Sequence, residues 1–130
     1  MSVHVYVAGP ISSDPRGHAR EALRVGTELL NAGLAPFVPH LSVWWDEFYP
    51  QAYERWLAYD FAWLSRCDAL LRLPGASPGA DREVAFARER GIPVFGSVGA
   101  VLEWARPTRG PEHVSVAIRR VLERLRAGSR

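Results

Sequence analysis

The stretch from Cys67 to Phe95, CDALLRLPGASPGADREVAFARERGIPVF, limits what this chain can fold into more than any other. Asp68 to Leu73 and Ile92 to Phe95 are short runs dense in apolar residues and of strand length, and the segment between them has helical periodicity. Before that segment lie Pro74, Gly75, Ser77 and Pro78. Serine accepts hydrogen bonds from the free N–H groups of a helix start, and proline, which has no N–H to leave unpaired, suits the first helical position. The helix is therefore expected to begin at Ser77-Pro78. Strand, loop, helix and strand in this order make a βαβ unit, with parallel strands joined by a crossover on one face of a sheet.

Gly79 and Ala80 keep the first turn of that helix free of bulky side chains, so its backbone N–H groups are open to an anion or a bulky ligand. Glu83 follows. Acids early in a helix commonly do no more than complement the positive end of the macrodipole, a gain of about 0.3–1 kcal/mol. Its direction points elsewhere. At about 100° per residue Glu83 lies beside the stripe of Ala80, Val84 and Ala87 that should face the sheet, and Asp81 already supplies an acid at the same end. Glu83 is thus expected to face the crevice beyond the strand ends, where parallel α/β sheets bind their ligands.

Upstream, Val3 to Ala8 is a β-rich run ending in Gly9-Pro10, and Ser12, Ser13 and Asp14 are candidate caps for a helix. In that helix Ala19, Leu23, Gly26, Thr27, Leu30 and Ala32 recur at helical spacing up to Gly33. Leu34 to Val38 reads as a second strand. Pro39 to Pro50, PHLSVWWDEFYP, reads as a loop of the length used for lids and binding loops. Its Trp44, Trp45, Phe48 and Tyr49 suit a satellite core, a subunit interface or a surface on which a nucleobase stacks. His40 within it is either a hydrogen-bonded loop residue or a ligand contact. Tyr53 to Cys67 reads as a helix with Tyr53, Trp56, Leu57, Trp63, Leu64 and Cys67 on one arc, and Asp60 falls inside that arc. Burying an unpaired carboxylate is costly, so Asp60 must be paired with an arginine such as Arg55 or Arg66, protonated, or open to a polar cavity. After Phe95, Val98 to Ala105 is a short helix and Pro107 to Pro111 a connector. A last amphipathic helix carries Val114, Ala117, Ile118, Val121, Leu122 and Leu125 on its apolar stripe.

Alternation of strands and helices predicts an α/β fold, a single-domain Rossmann- or flavodoxin-like three-layer sandwich over residues 1–130. Its sheet is mostly parallel, of about four or five strands with helices on both faces, and residues 96–130 form a C-terminal helical extension. A length of 130 residues with 48% hydrophobic content suits one core. Cys67 is the only cysteine, which excludes an intrachain disulfide and a cysteine-built metal site. The chain enters a strand pattern without a basic leader, and no apolar run approaches the ~18 residues of a membrane span. A cytoplasmic protein with no membrane partner is expected. The net charge of +2 is small, and the arginines of residues 119–130 form the solvated face of the last helix, so no nucleic-acid polymer is expected as a partner. The large apolar side chains between residues 44 and 63 exceed the needs of one sheet face, which points to a homodimer or higher homo-oligomer.

Motifs in matching order, VYVAGPIS at residues 5–12, DFAWLSRCD at 60–68 and SPGADRE at 77–83 followed by the GIPVF strand, resemble the nucleoside 2-deoxyribosyltransferase superfamily. That group includes deoxynucleoside 5'-monophosphate N-glycosidases and a bacterial and phage domain family of unassigned function with similar spacing. The resemblance covers residues 1–96. It implies that Glu83 is a nucleophile whose carboxylate attacks the anomeric carbon and displaces the base. Asp60 matches the acid that assists at the base or the nucleophile, Tyr6 a tyrosine that positions the nucleophile, and Gly9 the glycine that lets backbone contact the sugar. The candidate substrate-binding set is Gly9, Pro10, Ile11, Ser12, His40, Ser77, Gly79 and Ala80. Ser77 stands where the transferases carry aspartate and the monophosphate hydrolases serine, which favours a nucleotide. Ser12 stands where those hydrolases carry arginine, and Arg16 is the neighbour available to replace it. In the resembling proteins a neighbouring subunit often completes the site, so residues after Gly96 are expected near a partner's pocket.

An oxocarbenium-like transition state needs one carboxylate to capture positive charge and one acid to protonate the leaving group, and it needs no metal or other cofactor. N-glycosidic cleavage of a nucleotide or (deoxy)nucleoside, by hydrolysis or base exchange, is therefore the expected function. Two alternatives stand beside it. The same fold can serve as a non-catalytic nucleotide-binding or sensor domain, or as an interaction protein that uses its aromatic loop as an interface.

Overall fold

The computed structural model describes residues 2–109 and 111–128, with only the backbone for 107–119. In chain order the elements are β1 (His4–Ala8), α1 (Pro15–Asn31), β2 (Ala35–Phe37), a 3₁₀ turn (Pro39–Leu41), α2 (Ser42–Phe48), α3 (Tyr53–Leu64), β3 (Ala69–Arg72), α4 (Pro78–Glu89), β4 (Val94–Phe95), α5 (Val98–Arg109) and α6 (Pro111–Gly128). Side-chain alternation along β1 sets the layers. Val5 and Val7 join Val3 in one apolar cluster with Ala22, Val25 and Leu29 of α1 and Val101 and Ala105 of α5. Tyr6 and Ala8 point the other way, into a second cluster with Leu64 of α3 and Ala80 and Ala87 of α4. The result is the expected three-layer α/β sandwich.

The sheet has four strands in the order β2-β1-β3-β4, and every pairing is parallel. The chain winds outward from β1 to β2 in one direction and through β3 to β4 in the other, so the order reverses between β1 and β3. Loops leaving the carboxyl ends of those two strands part there and open a crevice, the usual ligand position in a doubly wound sheet.

Local chemistry starts the helices where expected. Asp14 caps α1 by accepting from the Gly17 N–H at 3.2 Å, with Pro15 at the first position. The buried face of α1 is Ala19, Ala22, Val25, Gly26 and Leu29, not a stripe through Leu30, which is 56% exposed. Gly26 lets that face approach closely, because a Cβ there would meet Val38 Cγ2, just past the end of β2, at a tight 3.0 Å.

The loop expected from Pro39 to Pro50 folds instead into the 3₁₀ turn and α2. The reason it reads as a loop is physical: the residue before α2 is Leu41, which makes no side-chain cap bond, and no α2 residue is buried to leave a periodic signal. The expected connector at Pro107 is also corrected, since α5 runs through to Arg109; proline costs a helix one N–H bond without forbidding it. Val101 and Ala105 make α5 part of the layer against the sheet. In α6 the described side chains, 120–128, are all exposed, while Val114, Ala117 and Ile118 of the expected stripe lie outside the described side chains. No helix among the described residues is long and apolar enough to cross a membrane.

Candidate active site

The parity that sends Tyr6 to the α3/α4 face also sends it towards α4, whose first turn begins above the crevice. Ser77 caps α4, its hydroxyl oxygen accepting from the Ala80 N–H at 3.1 Å. Three residues past Ala80, Glu83 is 6% exposed, and the fully buried Tyr6 donates its hydroxyl to Glu83 Oε2. From α3 comes Asp60, 7% exposed. Its Oδ1 has no hydrogen-bond partner, and no arginine pairs with it among the described residues.

Glu83 and Asp60 border a cavity of about 900 Å³. Gly9, Ile11 and Ser12 enter it from the β1 loop, Arg16 from α1, Asp46 and Glu47 from α2, and Ser77, Gly79, Ala80 and Arg82 from α4. Tyr53, Trp56 and Leu57 line it with Asp60, so that part of the α3 arc faces the cavity, not the core. The choice left open for Asp60 is thereby resolved: it has no arginine partner and opens on the cavity.

Electrostatics separates the two carboxyls. Burial pushes Asp60 up to about 8, and the nearby Glu83 charge adds to the effect. Burial also pushes Glu83 up, to about 7, while the Tyr6 hydrogen bond and the Arg72 guanidinium pull the other way. Glu83 thus has a donor and a cation to stabilise its anion, whereas Asp60 has neither, and the shared environment leaves the proton on Asp60 near neutrality. Burial first, then the neighbouring carboxylates, hold the Tyr6 hydroxyl well above the usual phenol range, so it remains a donor. Two carboxyls, of which Asp60 is held further above its ordinary range, and a fixed donor therefore face or adjoin a single cavity.

Of the residues singled out from sequence, Gly9, Ile11, Ser12, Asp60, Ser77, Gly79, Ala80 and Glu83 line the cavity, and Tyr6 lies behind Glu83. Pro10 and His40 do not line it. His40 is fully buried, donates from Nε2 to the Pro10 carbonyl at 3.1 Å and keeps Nδ1 without a partner. Burial holds its pKa down at about 4, so it is neutral at physiological pH. The correction follows from the turn at Pro39, which drives His40 inward beneath the β1 loop as a buttress. Pro10 also packs over Gly75, whose φ is +112° and where a Cβ, had there been one, would meet Pro10 Cγ at 2.8 Å. Gly9 packs equally closely, since a Cβ there would meet Leu73 Cβ at 3.0 Å.

None of Trp44, Trp45, Phe48 and Tyr49 lines the cavity, so the expected stacking surface is not formed by them. Trp45 instead meets Trp56 edge-on at 5.2 Å and Tyr59 at 5.8 Å, while Trp63 stacks on Phe37, and Phe37 on Tyr6, each at 5.6 Å. Trp56 Nε1 donates to Asp46 at 2.7 Å, fastening α2 to α3 along one wall. Arg82 carried no sequence signal beyond its adjacency to Glu83, and α2 as a wall carried none because its own helix was not legible.

No curated protein matches the chain in sequence. Among solved structures, a 2-deoxyribosyltransferase from Bacillus psychrosaccharolyticus is similar at 19% identity with a TM-score of 0.50, over 71% of this chain and 69% of that one. At that identity the likeness is one of fold, and it agrees with the doubly wound sheet described above. A family model described as a domain of unknown function, DUF7768, matches residues 3–96, the greater part of the chain, and the protein belongs to that family.

Proposed function

We propose that the protein cleaves the N-glycosidic bond of a nucleotide or (deoxy)nucleoside, as a hydrolase or base-exchanging transferase of the 2-deoxyribosyltransferase-like type, with Glu83 as covalent nucleophile. The observation that carries this reading is the buried Tyr6–Glu83 hydrogen bond beside a partnerless Asp60 on one cavity, where burial favours the protonated form of Asp60. The ionised Glu83 carboxylate attacks the anomeric carbon while the carbon–nitrogen bond breaks towards the base. Asp60 gives its proton to a ring nitrogen, so the base leaves neutral. Asp60, now ionised, takes a proton from water or from an incoming base, whose attack on the glycosyl ester restores Glu83.

Tyr6 holds Glu83 in place and spreads its charge through the first step. Arg82, Ser77 and Gly79 at the start of α4 line the same cavity, as does Arg16, which pairs with Glu47 at 3.4 Å, and the two arginines support an anionic substrate, a 5'-monophosphate in preference to a free nucleoside. The test is wild type beside Glu83→Gln, incubated with a panel of nucleosides and 5'-monophosphates and read by chromatography for free base. Wild type is expected to release base, fastest from monophosphates, and Glu83→Gln to be slower by several orders of magnitude. Equal release by both removes Glu83 from the mechanism, and no base from wild type across the panel leaves a binding domain.

A further inference from the structure

Arg72 is the last residue of β3 and lies opposite Ala8 of β1. It shares parity with Leu70, so its side chain turns to the α3/α4 face, where it is 20% exposed. A guanidinium presents several N–H donors in a rigid fork. Here Nη1 donates to the Leu73 carbonyl, and Nη2 to the Gly75 carbonyl at 3.0 Å and to Asp81 Oδ1 at 3.1 Å. These acceptors follow the whole route from the strand end to the first turn of α4, through the positive-φ Gly75 and the Ser77 cap. The Asp81 side chain is 72% exposed, so its pairing with Arg72 contributes little to stability. Its consequence is geometric, because together with the bonds to the Leu73 and Gly75 carbonyls it ties the loop to the first turn of α4, just before Glu83.

Arg72 does not border the cavity, so it acts through another residue. Around Glu83 stand Tyr6 from β1, Asp60 from α3 and Arg72 from β3, with Asp81 and Arg82 beside it on α4. We propose that Arg72 is the positioning residue of the Glu83 nucleophile, clamping the β3–α4 loop to the first turn of α4 and keeping a fixed positive charge near the carboxylate. The inference rests on the nucleophilic role given to Glu83 above. Its ionisation is the property such a clamp governs, and the charge of Arg72 does oppose the effect of burial there.

The test needs no substrate. Protein labelled with ¹³C at the glutamate carboxyls is titrated by NMR, and the Glu83→Gln spectrum assigns the Glu83 signal. In Arg72→Gln the Glu83 midpoint is expected to rise by about one pH unit. Arg72→Lys keeps the charge and loses the fork, so its midpoint is expected to stay near wild type while hydrogen exchange at residues 75–80 quickens about tenfold. Base release, where wild type gives it, is expected to fall in Arg72→Gln through kcat with KM unchanged, its acid limb following the NMR midpoint. A Glu83 midpoint that does not move in a folded Arg72→Gln, or exchange that does not change in Arg72→Lys, overturns the clamp whatever the activity. A midpoint that moves as expected in a protein that releases no base leaves the clamp standing and removes the proposed reaction.

Discussion

Replacing Asp60 by asparagine is expected to stabilise the protein increasingly as pH rises. In the unfolded chain this carboxyl titrates near its ordinary 3.8, and in the folded protein at about 8. Between those values the folded protein keeps a proton that the unfolded chain has released. The group therefore favours folding least at high pH, and its contribution is lost from the unfolded value upward, through about 8. The slope is about 1.4 kcal/mol per pH unit, so wild type loses about 2.7 kcal/mol from this group between about pH 5 and about pH 7. Asparagine does not titrate and removes the slope. It also places an amide NH2 where the wild-type Oδ1 already has no partner, at a pH-independent cost of about 1–3 kcal/mol, so the change in ΔΔG between the two pH values is the quantity to read. Urea denaturation followed by circular dichroism at both pH values, with matched m-values, measures it. A ΔΔG that becomes more favourable to Asp60→Asn by about 2–3 kcal/mol at the higher pH is expected. The same ΔΔG at both would mean that Asp60 titrates as a solvated acid, and the role of proton donor would fall with it.

Further outcomes follow from the same geometry. Base release should be bell-shaped in pH, rising as Glu83 ionises near 7 and falling as Asp60 loses its proton near 8; a profile flat from acid to alkali would contradict the paired roles. Tyr6→Phe removes the donor to Glu83 and should lower kcat by about 10–100-fold and move the acid limb upward, as the base-release profile would record. An unmoved limb would mean that Tyr6 does not govern Glu83. Trp45, Phe48, Tyr49 and Trp63 are exposed together on α2, α3 and the turn between them, and light scattering is expected to give at least twice the 14.5 kDa chain mass. A clean monomer at micromolar concentration would count against self-association through this face.

The βαβ unit was legible because its signals are local and redundant: Ser77 caps α4, Pro78 opens it, and β3 and β4 lie parallel on either side of the helix in sequence. Asp60 could be singled out because it is a carboxylate inside an apolar helical arc, and Glu83 because helical phase sets it beside the sheet-facing stripe, whereas Tyr6 is named only by the resemblance. Other features are products of tertiary contact. α2 buries nothing and has no cap, so neither periodicity nor punctuation marks it. His40 reads as a possible ligand contact until the turn at Pro39 places it under Pro10. Arg72 is one arginine among many in sequence, and its fork has meaning only where the Leu73, Gly75 and Asp81 oxygens converge on it. The apolar spacing in α1 shares only Ala19 and Gly26 with its buried face, because Ala22 buries well but weighs little in a hydrophobic pattern, while Leu30 weighs much and is exposed.

The most direct measurement is capture of the glycosyl ester on Glu83. Wild type and Glu83→Gln are mixed with a substrate that releases base, or with its 2-fluoro analogue, whose fluorine disfavours the oxocarbenium-like transition state and slows breakdown of the ester. After acid quench and digestion, peptide mass spectrometry reads the segment that carries Glu83. The expected result is a gain of one glycosyl residue on that segment in wild type and none in Glu83→Gln. Free base accumulating while the Glu83 segment stays unmodified, or an adduct placed on Asp60 instead, would contradict the assignment of Glu83 as the nucleophile.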